Sequence, residues 1–129
     1  MDVQAFYDKT VKHIRSFPRQ ASDSGTCCYR TTDGLSCAMG CHIPDDKYQT
    51  EMEGRVIDKV IECFPHLREL FPTVVSSYGT TYQRTLTDAL QWVHDSNINW
   101  NSDGTQFTGE SAIKEVAEAF GLVYTPPAI

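Results

Sequence analysis

Apolar residues recur at helical spacing in four separate segments of this 129-residue chain, and this pattern constrains the fold more than any other feature. The first segment follows a suitable helix cap at Asp2 and stops at Pro18, and the second stops at Pro65. Thr81 and Thr108 stand where caps of the third and fourth segments are expected. We therefore expect helices over residues 3–17, 55–64, 81–95 and 109–120.

The segment between the first two helices carries turn signals and a short β pattern. Residues 27–31 are typical of a strand, and the Asp33-Gly34 pair that follows favours a turn. Residues 35–43 fit either a return strand or a short buried helix. The pattern predicts an α+β fold, mainly α: a compact bundle of about four helices with a short β-hairpin after the first helix. Residues 1–129 are expected to form a single globular domain.

Charge and hydropathy argue against two classes of partner. The chain has 17 acidic and 11 basic side chains, a net charge of −6, and no run of Lys and Arg. Such a chain repels phosphate backbones on average, so we expect no direct nucleic-acid partner. It contains no apolar stretch of about 18 residues and does not start like a signal peptide. We therefore expect no membrane partner and a cytoplasmic location.

Four of the five cysteines lie in residues 27–41, CCYRTTDGLSCAMGC. Zinc is usually bound by two closely spaced ligand pairs, and one such set can be drawn here. It consists of Cys37, Cys41, Cys63 and His66. No standard finger spacing is present, and Cys63 also fits the apolar face of its helix. Because free cysteine packs as a small hydrophobic residue, we favour packing cysteines and expect no metal and no cofactor.

His94-Asp95 is the one adjacent His-Asp pair and the main candidate for acid-base chemistry. On a helix the two side chains diverge by about 100°, so Asp95 is not expected to orient the His94 ring. On this helix His94 lies roughly 95° from the centre of the apolar face, which places it at the boundary of the core. We therefore assign no catalytic residue and expect a protein that is not an enzyme. Trp92 and Trp100 are candidate interface anchors, although both could simply fold over the edge of the core.

Three stretches of the chain form a combined pattern: SDSGTCCYRTTDGLSCAMGCHIPDDKYQTEMEG, then LQWVHD, then AEAFGL. With this pattern the chain resembles a family of small bacteriophage and prophage proteins over residues 6–122. The shared pattern is C-x-YR-x-x-DG-x-x-CA-x-G-x-x-IPD-x-x-Y, then MEG, then LQ-x-x-HD. Residues 73–80 and Cys27 depart from it. The matching positions are Cys28, Tyr29, Arg30, Asp33, Gly34, Cys37, Ala38, Gly40, Ile43, Pro44, Asp45, Tyr48, Met52, Glu53, Gly54, Leu90, Gln91, His94 and Asp95.

The small residues of this pattern predict a close approach of two backbones at residues 37–40. Arg30 is placed to pair with Asp33 or Asp45, which would fix the hairpin to the segment that follows. The cysteine-rich stretch then serves as a structural clasp.

The resemblance assigns no catalytic role, but it implies a protein made during infection of a bacterium. We expect a phage-encoded binding protein that inhibits a bacterial defence or host protein by occluding its surface. The predicted binding residues are Trp92, Trp100, Glu51 and Glu53. An alternative is an oligomeric sponge for a nucleotide immune signal, bound by Arg30, Arg55 and Arg84. A weaker alternative is a zinc-stabilised domain or a thiol enzyme.

Overall fold

Four α-helices and two small antiparallel sheets make up the regular structure of the part of the chain that is described. The computed structural model describes residues 1–16, 22–23, 26–32, 34–77 and 83–127. The helices are α1 (Val3–Ser16), α2 (Ile57–Cys63), α3 (Leu86–Asp95) and α4 (Glu110–Ala119). The strands are β1 (Ser22–Asp23), β2 (Thr26–Cys27), β3 (Val75–Ser76) and β4 (Arg84–Thr85). The predicted fold class, mainly α with a hairpin after the first helix, is confirmed.

Helix α1 begins as its sequence predicts, because the Asp2 carboxylate accepts a hydrogen bond from the Ala5 N–H at 3.0 Å. The α3 start is different. Arg84 and Thr85 pair with β3 in extended conformation, so the helix begins only at Leu86 and is capped by the Thr85 hydroxyl. The predicted start at Thr81 is therefore wrong, and Thr81 itself lies outside the described residues.

The fourth helix also begins later than predicted. Gly109, not Thr108, occupies the capping position, and α4 starts at Glu110. A Cβ atom at Gly109 would overlap with the Asn99 side chain, so only glycine fits this approach. Gly121 ends the helix with a φ of +67°, a conformation that favours glycine.

The predicted hairpin is shorter and earlier than expected. β1 pairs with β2, with Ser22 opposite Cys27. The turn at Gly34, whose φ is +89°, is closed by a β-bridge between Arg30 and Ser36 and by the Thr31 N–H, which donates to the Leu35 carbonyl at 2.9 Å. Asp33 lies outside the described residues. Beyond the bridge the chain forms a 3-10 turn at Gly40–His42. Residues 35–43 thus contain both predicted alternatives, a short antiparallel return at Ser36 and a short helical segment after it. Three other 3-10 segments are Thr50–Met52, Pro65–Leu70 and Asn97–Asn99.

The buried side chains form one hydrophobic cluster with α3 at its centre. Leu86, Ala89, Leu90 and Val93 of α3 are fully buried, and α3 packs against α2 on one side and α4 on the other. Helix α1 is tied to α4 by the Tyr7 hydroxyl, which donates a hydrogen bond to the Ile113 carbonyl at 2.9 Å. This arrangement leaves the outer face of α3 exposed beside the start of α2.

Candidate functional site

The predicted clasp extends beyond the cysteine-rich stretch, and from here on the name means residues 29–32 and 34–54. These residues are held together by the Glu53 carboxylate. It accepts hydrogen bonds from the backbone N–H groups of Tyr29 at 2.9 Å and Arg30 at 3.0 Å. It also accepts a bond from the Tyr48 hydroxyl at 2.7 Å. Glu53 is therefore half-buried and its carboxylate binds groups within the fold, while its predicted role in binding a partner stays a prediction. Glu51, by contrast, is exposed.

Arg30 closes the clasp as predicted. Its guanidinium donates to the Asp45 carboxylate at 2.6 Å and to the Ile43 carbonyl at 2.7 Å. It also lies 4.8 Å from the centroid of the Tyr48 ring. The expected pairing with Asp45 is confirmed, and it fixes the Gly34 turn to the segment after it.

Close backbone packing within the clasp is also confirmed. A Cβ atom at Gly40 would overlap with the carbonyl oxygen of Tyr29. Cys37 is fully buried, and its sulfur accepts a hydrogen bond from the Gly40 N–H at 3.2 Å. Burial raises the pKa of the Cys37 thiol, and it raises that of Cys41 to about 12, so both groups stay protonated near neutral pH.

The structure does not assemble the alternative zinc set of Cys37, Cys41, Cys63 and His66. Cys63 is exposed and contacts the Arg55 guanidinium at 3.3 Å, whereas His66 bonds to the Lys47 carbonyl at 3.3 Å. Among the described residues, no three His, Cys, Asp or Glu side chains come close enough to share a metal ion.

The His94-Asp95 pair differs from its prediction in two respects. His94 is only 2% exposed, so it belongs to the core and not to its boundary. Asp95 also contacts its ring, with 2.9 Å between His94 Nδ1 and a carboxylate oxygen. The angle of about 100° fixes only the Cβ directions, and the terminal atoms of two longer side chains still meet. Gln91 donates to the same carboxylate at 2.8 Å and accepts from the Met39 N–H at 3.1 Å. This network ties α3 to the clasp.

Trp100 is 5% exposed, so its predicted place in an exposed patch is wrong. The loop folds inward because the indole N–H donates to the His94 carbonyl at 2.8 Å. The ring also packs edge-on against Phe107, with 5.4 Å between the centroids.

Trp92 has the opposite placement, with 42% of the residue exposed. It lies at a cleft of about 360 Å³ between the start of α2 and the outer face of α3. The other residues that matter for its chemistry are Arg55, Val56, Asp88 and Asp95. We call these five residues and the space between them the Trp92 cleft. Val56, predicted to belong to the inner face of a helix, is instead extended at the start of α2 and 69% exposed.

Among the charged side chains that line the Trp92 cleft, two are carboxylates and one is a guanidinium. Burial raises the pKa of Asp88, and the nearby carboxylates of Asp58 and Asp95 raise it further, whereas Arg84 lowers it. The Arg84 Nε lies 3.0 Å from an Asp88 oxygen, and its guanidinium is 5.9 Å from the Trp92 ring centroid. Of the three arginines predicted for nucleotide binding, Arg30 and Arg84 thus pair with carboxylates, and Arg55 lines the cleft.

Two larger depressions lie elsewhere on the described surface. One, of about 500 Å³, lies between α1 and the segment near Thr125, where Arg15 bonds to Glu110 at 2.6 Å and to the Thr125 carbonyl at 2.9 Å. The other, of about 550 Å³, lies beside Met1 and Phe71. Neither is lined by a tryptophan, the residue type most enriched at binding hot spots, so the Trp92 cleft is the stronger candidate.

Each helix in the described ranges is too short or too polar to cross a membrane. Comparison with protein-family models, with curated proteins and with solved structures gives no match.

Proposed function

We propose that this chain is a non-enzymatic binding protein that acts by covering a surface of a partner protein. The observation that carries the proposal is the exposed indole of Trp92 beside exposed Val56, on the two sides of one cleft. Exposed apolar side chains grouped at a depression and rimmed by polar groups are typical of protein interaction sites. Tryptophan is also among the residues that contribute most to binding energy at such sites.

The buried polar groups support binding over catalysis. Cys37 is fully buried and protonated, and Glu53 has three hydrogen-bond donors from within the clasp. His94 is buried between Asp95 and Trp100. Each of these groups has a partner inside the fold, so a structural role explains why it is there and no catalytic role is needed.

The resemblance to bacteriophage proteins supplies the biological context of the proposal. A phage protein of this kind works in the cytosol of the infected bacterium and blocks a defence or host protein by occlusion. The inhibited partner then loses access to its own substrate or assembly surface, because the bound protein fills it.

Affinity capture from a bacterial lysate tests the proposal, with a matched pair of variants. Trp92→Ala removes the cleft's indole, and Ile98→Ser removes an exposed apolar residue outside it that is 81% accessible. We expect one partner at 1:1 stoichiometry with the unchanged protein and with Ile98→Ser. Trp92→Ala should weaken its binding about tenfold or more. The purified partner should lose its activity when the complex forms.

Two results would count against this function. One is that repeated capture experiments give no specific partner. The other is a partner that binds Trp92→Ala as tightly as the unchanged protein. A nucleotide that an oligomer of this protein carries through purification would favour the sponge instead, and native mass spectrometry against the denatured mass detects it.

A further inference from the structure

We infer that the Trp92 cleft binds a basic side chain, Arg or Lys, that stands beside an apolar residue on the surface of the partner protein. The inference rests on the proposed function and names the chemistry of the partner that the cleft fits. It follows from the spacing of two carboxylates around the indole, from the charge of the cleft and from its apolar wall.

The carboxylates and the indole lie on one side of α3. Asp88 and Asp95 are seven residues apart, which is about two helical turns, so they share a face. Trp92 follows Asp88 by four positions and precedes Asp95 by three, which makes it a neighbour of both. The Asp88 side chain is 34% exposed and that of Asp95 is 38% exposed. A ligand resting on the indole therefore has a carboxylate within reach in either direction along the helix.

The charge of the cleft favours a cation. Two carboxylates and one guanidinium, that of Arg55, line it, and Asp58 adds further negative potential at Asp88. Arg84 pairs with Asp88 at 3.0 Å, and it lowers the Asp88 pKa more than either neighbouring carboxylate raises it. The lining still carries two carboxylates against one guanidinium, so a further cation would be attracted and an acidic group repelled. The net charge of −6 acts in the same direction over longer distances.

The apolar wall favours a long basic side chain over a compact metal ion. Arg and Lys carry a hydrocarbon stem that packs on apolar surface while the charged end stays near water or carboxylates. Val56 and Trp92 offer such a surface on the two sides of the cleft. The Trp92 ring already has the Arg84 guanidinium 5.9 Å from its centroid, within the range of a cation–π contact. The structure thus contains one internal example of the contact that we infer.

The two tryptophans of the chain allow a direct test by nuclear magnetic resonance. Each gives one indole N–H signal, and the buried Trp100, bonded to the His94 carbonyl, serves as an internal reference. The probes are acetyl-Leu-Arg-Leu-amide and its matched acidic form, acetyl-Leu-Glu-Leu-amide, titrated at low salt to about 10 mM, a range suited to weak binding. We expect the basic peptide to move the Trp92 signal and leave Trp100 in place, and added salt to weaken the effect.

Charge variants sharpen the test without touching the core. Arg55→Glu changes an exposed side chain at the cleft, and it should raise the affinity for the basic peptide about threefold. Asp88→Asn should lower that affinity by a similar factor. Equal shifts with both peptides, no shift of Trp92 with either, or a response in Trp100 as large as in Trp92 would overturn the inference.

Failure of this inference can be told apart from failure of the proposed function. If the captured partner depends on Trp92 but binds Arg55→Glu and Asp88→Asn as tightly as the unchanged protein, then the cleft binds a protein without using charge. If no partner is captured while the basic peptide still binds, the site exists but the proposed function is wrong.

Discussion

The clasp and the Trp92 cleft adjoin each other, because Tyr29 of the clasp also lines the depression beside Trp92, yet they differ in how far their charged side chains are exposed. In the clasp, Arg30 and Glu53 direct their hydrogen bonds to neighbours within the fold. In the cleft, Arg55 is exposed, and Asp95, although it accepts from Gln91, keeps 38% of its side chain accessible. Residue type alone therefore does not distinguish a structural role from a binding role, and the exposure of each side chain is needed as well.

The two tryptophans show the same contrast. The Trp100 ring is buried and its N–H donates a hydrogen bond to a backbone carbonyl, whereas Trp92 is 42% exposed. Buried polar groups with full sets of partners stabilise a fold, and exposed aromatic groups are available to a ligand. Substitutions of clasp residues that are tightly packed or hydrogen-bonded should therefore change the free energy of unfolding far more than matched substitutions at exposed positions nearby.

The largest effect is expected at Gly40. Gly40→Ala places a methyl group on the Tyr29 carbonyl, so the backbone must move, and the free energy of unfolding should fall by about 4 kcal/mol. Gly54→Ala is the matched control, since it has open space around it but a φ of +79°. That conformation alone should cost about 1–2 kcal/mol. Urea denaturation measures both, and equal losses would show that the approach at Gly40 is not tight.

The next effect is a loss of stability in acid, caused by His42. Its ring stacks on Phe6 at 4.0 Å, and its Nε2 lies 2.7 Å from the Thr10 hydroxyl oxygen. That hydroxyl donates to the Phe6 carbonyl at 2.8 Å, so the ring nitrogen must be the donor to it. Burial, and to a smaller extent the charges of Lys9 and His13, lower the His42 pKa from 6.5 to about 3.

Between these two pKa values the unfolded chain binds a proton at His42 that the folded protein does not. The stabilisation is therefore complete above the unfolded value and is lost as the pH falls towards the folded one. The slope should approach 1.4 kcal/mol per pH unit, roughly, for this single group. His42→Gln should flatten the dependence between about pH 7 and about pH 5, measured by urea denaturation. A slope unchanged by His42→Gln would mean that another group is responsible.

The helices were predictable because their signals are local. The apolar spacing of α1 and the cap at Asp2 depend on residues within one or two turns, and both are confirmed. The predicted start of α3 was wrong because Arg84 and Thr85 pair with β3, whose residues lie about ten positions away in the sequence. Short-range patterns cannot show such pairing.

The candidate site was predicted only in part. Trp92 was identified as a candidate from residue type, and Gly40 and the Arg30–Asp45 pair from a motif of small and charged residues. The burial of Trp100 and the internal hydrogen bonds of Glu53 were not predicted, because they depend on loops that fold back onto α3 and onto residues 29–30. Asp88 and Asp95 could have been identified from the sequence as candidate site residues, since their seven-residue spacing on a helix puts them on either side of Trp92.

The smallest of the three effects concerns a pair of nearby glutamates in the clasp. Glu53→Gln keeps the shape of the side chain but replaces one carboxylate oxygen with an NH2 group, which cannot accept from the donors of Tyr29, Arg30 or Tyr48. Because bonds to a charged acceptor are stronger than neutral ones, the free energy of unfolding should fall by about 2 kcal/mol. Glu51→Gln, at an exposed position two residues away, should change it by less than about 0.5 kcal/mol. Thermal or urea denaturation of the two variants separates these values. A loss at Glu51 as large as at Glu53 would mean that general charge, and not the geometry of the clasp, stabilises this segment.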